Sequence, residues 1–169
     1  VGEVEALDRR IVAATADVRD HEVLRSVVDE AVAELGPVDI ILANAGIAPQ
    51  GAENPDEVKT FRDVVEVNLF GVWNTVHAGI PSMIAKGQGG AIVLTSSTQG
   101  LSGAGGTGTG AGDGYAASKH GVVGLMRTFA NWLAPHFIRV NSIHPTGVNT
   151  DMVVNPLLQK YLNDNPPLA

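Results

Sequence analysis

The sequence predicts an α/β protein built on a parallel sheet, because short apolar segments alternate with longer segments of helical periodicity. Four segments rich in aliphatic and β-branched residues are predicted strands: residues 11–18, 38–43, 91–95 and 138–144. Nearly continuous apolar runs of this length are typical of parallel strands covered on both faces. We expect right-handed helical connections between consecutive strands.

The segments between these strands place apolar residues on one face of a helix. The first predicted helix covers residues 21–35, and Gly36-Pro37 ends it. The other two cover residues 60–86 and 115–137. The order β-α-β-α-β-α-β predicts a single domain over residues 1–169. In such a sheet, ligands bind beyond the carboxyl ends of the strands.

Composition excludes several classes of function. Charged residues make up 17% and hydrophobic residues 44% of the 169 residues, which argues against disorder. The net charge of −7 disfavours a nucleic-acid or anionic-lipid partner. The absence of cysteine excludes thiolate catalysis and cysteine-bound metal, and we expect no metal site. No apolar run has the length of a membrane span, so we expect no membrane partner and a cytoplasmic location.

Residues 103–114 form a low-complexity segment in which seven of twelve residues are glycine. It contains a G-x-G-x-x-G pattern, Gly103 to Gly108, that in other contexts cradles a pyrophosphate at a helix N-terminus. Here we expect the helix to begin near Tyr115, and no acidic residue follows at the required distance. A flexible loop is therefore favoured over a phosphate site.

Tyr115 and Lys119 lie four residues apart, on one face of the predicted helix. A cation close to a phenol favours its ionised form, which suits general acid/base work near neutral pH. The structural alternative is a partly buried tyrosine above a surface lysine.

Polar residues also stand where they could join such a site. Ser96-Ser97 follows the strand at residues 91–95, where a hydroxyl could bind a substrate oxygen or simply end the strand in a turn. Asn68 lies on the apolar face of its helix, where an unpaired amide is costly. It either bonds to a backbone carbonyl for structure or kinks the helix and holds a water near Lys119.

Three further segments follow or end strands. Asn44-Ala45-Gly46 leaves room for a flat ligand against the backbone, and residues 144–150 offer backbone groups and a hydroxyl. At Asp17-Val18 the carboxylate could accept a hydrogen bond from an adenine. Alternatively, Asp17 or Asp20 caps the following helix.

Taken together and in this order, these residues resemble the short-chain dehydrogenase/reductase family over nearly the whole chain. The resemblance implies a Rossmann-like, doubly wound parallel sheet. It implies that Tyr115 is the catalytic acid/base, that Lys119 assists it and binds the nicotinamide ribose, and that Ser97 polarises the substrate oxygen. Asn68 would complete a proton relay.

The resemblance also implies NAD as cofactor, with NADP not excluded. Adenine would lie near Asp17 and Val18, and the nicotinamide amide and pyrophosphate near Val148 and Thr150. The full set of implied cofactor-binding residues is Asp17, Val18, Asn44, Ala45, Gly46, Tyr115, Lys119, Pro145, Thr146, Gly147, Val148 and Thr150.

The sequence departs from the common family pattern in three ways. The spacing between Ser97 and Tyr115 is long, and Pro145-Thr146-Gly147 replaces the usual Pro-Gly. Both features resemble an actinobacterial subgroup related to carveol dehydrogenase, described as mycofactocin-coupled with tightly held NAD. Residues 103–114 would then be either a lid over NAD or a passive loop. Third, the first β-α-β unit and the last strand are missing, so we expect a longer chain and here an exposed sheet edge.

These observations predict an NAD-dependent oxidoreductase that interconverts an alcohol and a ketone. The alternatives are a 3-ketoacyl reductase acting on an acyl carrier and a truncated, non-catalytic homologue that serves as a binding or assembly subunit. The residues after Thr150 predict a small hydrophobic substrate, since Met152, Val153, Val154, Leu157 and Leu158 are apolar. The resemblance further implies a homotetramer assembled through the helices at residues 60–86 and 115–137.

Overall fold

The sheet has three parallel strands arranged in chain order. The computed structural model describes residues 1–48, 56–103, 108–150 and the single positions 152, 156, 160 and 163. Within them, β1 (Ile40–Ala43) pairs with β2 (Gly90–Thr95), and β2 pairs with β3 (Ile138–Ile143). The predicted α/β class with a parallel sheet is confirmed, and these three strands agree with predicted ones to within two residues.

The first helices begin and end at recognisable signals. A short α1 (Gly2–Glu5) precedes α2 (His21–Leu35), whose bounds are those predicted. The carboxylate of Asp20 accepts a hydrogen bond from the backbone N–H of Val23, which caps α2. Gly36 ends it with a φ of 96°, a conformation that glycine adopts without strain.

The helix predicted over residues 60–86 consists of three consecutive parts that connect β1 to β2. These are α3 (Glu57–Val65), a π-helical turn (Glu66–Phe70) and α4 (Gly71–Lys86). The π-helical turn contains Asn68, so the predicted irregularity of the helix at this residue is observed. A 3₁₀ turn (Thr98–Gly100), α5 (Gly110–Leu133) and a second 3₁₀ turn (Ala134–His136) lie between β2 and β3.

The predicted start of the last helix near Tyr115 is wrong, because α5 begins at Gly110. The Thr109 side chain caps it by accepting a hydrogen bond from Gly112 N at 3.1 Å. A Cβ at Gly110 would collide with the backbone oxygen of Glu57, and one at Gly114 would lie 3.2 Å from Phe61 O. Residues 110–114 therefore belong to a helix that packs closely on α3, not to a loop.

The predicted strand over residues 11–18 does not form. This stretch has neither helical nor strand structure and pairs with none of the described strands. Aliphatic residues favour a strand, but only a neighbouring strand supplies partners for its N–H and C=O groups. No described strand is placed beside this segment.

The helices cover one face of the sheet. The side chains that point to this face are buried: Ile41, Ala43, Ile92, Leu94, Ile138 and Val140. They pack against α4 and α5. On the opposite face Ile40 is 68% and Leu42 58% exposed. In the described part of the chain, the expected burial of the strands on both faces thus holds for one face only.

Among the described residues no strand pairs with the outer side of β1, which agrees with the exposed edge that the sequence predicts. Ala91 N donates to Asp39 O at 3.1 Å, so the odd-numbered residues of β1 bond to β2 and the backbone groups of Ile40 and Leu42 point away from it. A largely apolar groove of about 470 Å³ separates β1 from α2.

Candidate active site

The carboxyl ends of the three strands surround a cavity of about 400 Å³. Most of the residues predicted to bind a cofactor line it, together with the catalytic candidates Tyr115 and Lys119. The lining residues are Asn44, Ala45, Gly46, Thr95, Ser96, Tyr115, Lys119, Pro145, Thr146, Val148, Thr150 and Met152. Its position agrees with the rule that ligands bind beyond the carboxyl ends of parallel strands.

Lys119 lies on α5 with its ammonium buried at the edge of this cavity. The side chain is only 3% exposed. Its Nζ donates a hydrogen bond to Thr95 O at 2.8 Å and lies 5.5 Å from the centre of the Tyr115 ring. Burial lowers the pKa of Lys119 from 10.5 to about 8, because removal from water penalises the charged form. At neutral pH the site thus has a positive charge beside a phenol.

Asn68 is hydrogen-bonded to the backbone of the segment that follows β1. It is completely buried, its Nδ2 donates to Ile47 O at 2.9 Å, and its Oδ1 accepts from Ile47 N at 2.7 Å. A Cβ at Gly46 would lie 3.2 Å from Asn68 Oδ1 and 3.6 Å from Lys119 Nζ. The side-chain amide therefore makes the structural bonds of the first alternative, and glycine at position 46 keeps space open beside Lys119.

Ser97 lies in the turn after β2 and is 7% exposed. Its hydroxyl donates to Pro145 O over 3.4 Å and accepts from Gln99 N at 3.2 Å. The first of these bonds is long and weak, so the hydroxyl proton can be redirected to a better acceptor. The neighbouring Ser96 has a structural bond instead, because its Oγ donates to Lys119 O at 2.9 Å.

His144 is a residue of this site whose side chain the sequence analysis did not single out. Its Nδ1 lies 3.1 Å from Ser97 O and its Nε2 2.9 Å from Ser142 Oγ. The sequence places a histidine directly after a predicted strand, but nothing in its spacing indicates a contact with the turn after β2. Only the pairing of β2 with β3 brings the two turns together.

Asp17 and Val18 lie apart from the cavity. The Asp17 carboxylate pairs with Arg19, whose guanidinium holds the pKa of Asp17 down at about 2. The carbonyl of Val18 accepts from Asn74 Nδ2 at 2.9 Å. Of the two aspartates considered as a cap for α2, Asp20 is the one that caps it.

The remaining predicted positions are only partly described. Gly147 belongs to the turn after β3 but does not line the cavity. Met152 lines it, whereas Val153, Val154, Leu157 and Leu158 lie outside the described residues. Four positions of the G-x-G-x-x-G segment, residues 104–107, also lie outside them.

In the ranges given above, no group of three or more histidine, aspartate or glutamate side chains could hold a metal ion. No helix in the described part of the chain is long and apolar enough to cross a membrane.

The chain is similar in sequence to a known dehydrogenase. The chain is 49% identical over 156 residues to (−)-trans-carveol dehydrogenase of Rhodococcus erythropolis, an alignment that covers 90% of the chain and 54% of the relative. The chain thus spans about half the length of this relative.

Two solved structures are also similar to this chain. Carveol dehydrogenase from Mycobacterium avium in complex with NAD superposes with a TM-score of 0.82 at 47% identity, covering 98% of this chain and 57% of that one. A short-chain dehydrogenase from Mycobacterium paratuberculosis bound to NAD superposes with a TM-score of 0.85, also at 47% identity, covering 98% and 60%. These superpositions confirm the Rossmann-like fold. The family model described as short chain dehydrogenase matches residues 1–160, and the chain therefore belongs to the short-chain dehydrogenase/reductase family.

Proposed function

We propose that the complete protein is an NAD-dependent oxidoreductase that interconverts an alcohol and a ketone at the cavity described above. The observation that carries this proposal is the pair formed by Tyr115 and Lys119, with a buried ammonium 5.5 Å from the centre of the phenol ring. A phenol beside a positive charge, at the edge of a sheet where ligands bind, suits proton transfer to and from a substrate oxygen.

The residues present fit the nicotinamide half of such a cofactor. Lys119 has three N–H donors and uses one on Thr95 O, so two remain for the hydroxyls of a ribose. Gly46 leaves a space beside Lys119 that a Cβ would narrow. When bound, NAD supplies the acceptor for the hydride of the alcohol. NADP stays an alternative, and the adenine contacts of Asp17 and Val18 stay predictions.

The chain's own residues have distinct parts in this chemistry. In alcohol oxidation, the ionised phenol of Tyr115 accepts the proton of the substrate hydroxyl, and the Lys119 ammonium stabilises the ionised phenol beforehand. The Ser97 hydroxyl donates a hydrogen bond to the reacting oxygen. Asn68 holds the segment that contains Gly46 and, through a bound water, continues the proton path from Lys119. In ketone reduction Tyr115 returns the proton.

We further propose a small hydrophobic alcohol or ketone as substrate. Met152 and Val148 contribute apolar side chains to the lining of the cavity. The carveol dehydrogenase relatives are named for an alcohol of this apolar kind. The prediction of a lid or a passive loop over residues 103–114 is wrong for residues 110–114, which belong to α5. Residues 104–107 lie outside the described residues. Coupling to mycofactocin stays a prediction from the resemblance.

The test is to supply the complete protein with NAD and a panel of apolar secondary alcohols that includes carveol, and to follow absorbance of the reduced nicotinamide. We expect turnover that falls at least 1,000-fold, about 4 kcal/mol in barrier, in Tyr115→Phe. The Kd for NAD should stay within about threefold, because the phenol is assigned to proton transfer. Turnover of the variant within threefold of wild type would refute the assignment. Turnover of a 3-ketoacyl thioester alone would favour the acyl-carrier alternative.

The homotetramer and the cytoplasmic location stay predictions. Large aromatic side chains are exposed on the outer faces of α4 and α5 and on the π-helical turn, at Phe70, Trp73 and Trp132. Exposed aromatic residues are enriched at interfaces between subunits, which supports the assembly. Light scattering on the complete protein should give four times the mass of one chain, and a monomer would contradict the proposal.

A further inference from the structure

His144 connects the end of β3 to the turn after β2 without lining the cavity. Its ring is half-buried, with Nδ1 3.1 Å from Ser97 O and Nε2 2.9 Å from Ser142 Oγ. A carbonyl oxygen only accepts hydrogen bonds, so Nδ1 must carry a proton. In the neutral ring, Nε2 then accepts from the Ser142 hydroxyl. These two partners fix one tautomer and one orientation of the ring.

The same two turns are joined by backbone hydrogen bonds on both sides of this contact. Ser96 N donates to Ile143 O at 2.9 Å, and Thr98 N donates to Pro145 O at 3.1 Å. Ser97 lies between these bonds, and its own backbone N–H is not among the donors to β3. The carbonyl of Ser97 accepts a hydrogen bond from Gly100 N at 2.9 Å within its own turn. The ring of His144 adds a bond that ties this same carbonyl to the segment after β3.

The side-chain hydroxyl of Ser97 is held by weaker hydrogen bonds than the backbone of this residue. Its bond to Pro145 O is 3.4 Å long, close to the limit for a hydrogen bond. If the backbone of Ser97 is fixed, rotation about the Cα–Cβ bond alone decides where its hydroxyl points. If the backbone moves, the hydroxyl moves with it, and an error of about 1 Å in such a position costs about a hundredfold in rate.

We infer that His144 is a positioning residue for Ser97, held in the required tautomer by Ser142. The link between the two turns stands on the geometry alone, whereas its effect on rate rests on the proposed function of Ser97. His144 acts through the Ser97 backbone and contacts neither substrate nor cofactor in this assignment.

The first experiment compares three variants of the complete protein with carveol and NAD as probes. His144→Leu removes both ring contacts, His144→Asn keeps an N–H close to the place of Nδ1, and Ser142→Ala removes only the partner of Nε2. We expect kcat to fall at least about tenfold in His144→Leu, about threefold in Ser142→Ala, and to recover to within about threefold of wild type in His144→Asn. The Kd for NAD should change less than about twofold in all three.

The second experiment needs no turnover. Hydrogen exchange of the peptide that covers residues 96–101 should accelerate at least about tenfold in His144→Leu and stay near wild type in His144→Asn. A peptide from α2 should be unchanged, which separates local release from general destabilisation.

The outcomes distinguish a failure of the role inferred for His144 from a failure of the proposed function. Unchanged exchange of residues 96–101 in His144→Leu would overturn the positioning role whatever the activity. If exchange accelerates but kcat is unchanged, the role of His144 in the rate fails while the proposed reaction stands. If wild type does not reduce NAD with any alcohol, the proposed function fails, and exchange alone decides whether His144 holds the turn.

Discussion

Among the described residues, the turns after β2 and β3 and the outer edge of β1 differ in how their backbone groups are hydrogen-bonded. Backbone hydrogen bonds from Ser96 and Thr98, together with the ring of His144, join the turn after β2 to the turn after β3. At the outer edge of β1, the backbone groups of Ile40 and Leu42 point away from the sheet and their side chains are 68% and 58% exposed. A fixed catalytic group needs the first kind of surroundings, and the candidate Ser97 lies there.

The largest expected contrast is in stability and uses two leucines on opposite faces of the sheet. Leu94→Ala, which removes a completely buried side chain, should lower the free energy of unfolding of the 169-residue chain by about 3 kcal/mol. Leu42→Ala should lower it by less than about 0.5 kcal/mol, since Leu42 is mostly exposed. Urea unfolding followed by circular dichroism measures both. Equal losses would show that the outer face is covered, and the comparison would fail.

The next contrast is in catalysis and lies within one turn. Ser97→Ala should lower kcat of the complete protein about a hundredfold, or about 2.7 kcal/mol, because a donor to the reacting oxygen is lost. The matched control is Ser102→Ala, an exposed serine whose hydroxyl donates to Thr98 O at 3.3 Å. Steady-state rates with carveol and NAD compare them. A similar loss of kcat in both variants would mean that removal of any serine hydroxyl in this region lowers the rate, and that Ser97 has no special part in catalysis.

Lys119→Met should stabilise the complete protein while it lowers turnover. The pKa of Lys119 is about 8 in the folded state and near 10.5 when the lysine is exposed to water. At neutral pH, folding therefore buries a charged ammonium, which costs free energy. After the lost bond to Thr95 O is counted, we expect a gain of about 2 kcal/mol below pH 8. The gain should shrink as pH rises from 8 towards 10.5, where the unfolded lysine also loses its proton.

Unfolding free energies at about pH 7 and about pH 10 test this difference. A variant that is less stable than wild type at neutral pH would contradict the view that the buried ammonium is kept for function at a cost in stability.

The smallest expected effect concerns the space beside Lys119. Gly46→Ala should weaken NAD binding about fivefold, near 1 kcal/mol, because its Cβ would lie 3.2 Å from Asn68 Oδ1 and 3.6 Å from Lys119 Nζ. Gly2→Ala is the control, since a Cβ there meets no other atom within 4 Å. Calorimetric titration with NAD measures both Kd values, and an unchanged Kd for Gly46→Ala would remove Gly46 from the site.

The sequence predicts secondary structure correctly where an apolar segment also has a neighbouring strand with which it can pair. Residues 91–95 and 138–144 are predicted as strands and lie next to each other in the sheet, and α2 has its predicted bounds. The resemblance to the short-chain dehydrogenase/reductase family implies that Tyr115, Lys119 and Asn44 share one site, and all three line the cavity at the carboxyl ends of the strands.

The sequence fails where the outcome depends on contacts between distant segments. Residues 11–18 have the composition of a strand but no neighbour to pair with in the described structure. Gly110 to Gly114 suggest a loop by composition, yet they allow α5 to approach Glu57 and Phe61 closely. The contact between His144 and Ser97 joins residues 47 positions apart, and no local pattern indicates it.

The most direct test of the central claim follows the hydrogen atom itself. The complete protein is incubated with NAD and carveol that has deuterium on the carbinol carbon, and the reduced cofactor is examined by mass spectrometry. We predict that each reduced cofactor gains one deuterium with the wild-type protein and that Tyr115→Phe forms almost none in the same time. Reduced cofactor without deuterium, or equal formation by both proteins, would contradict hydride transfer at a site in which Tyr115 moves the proton.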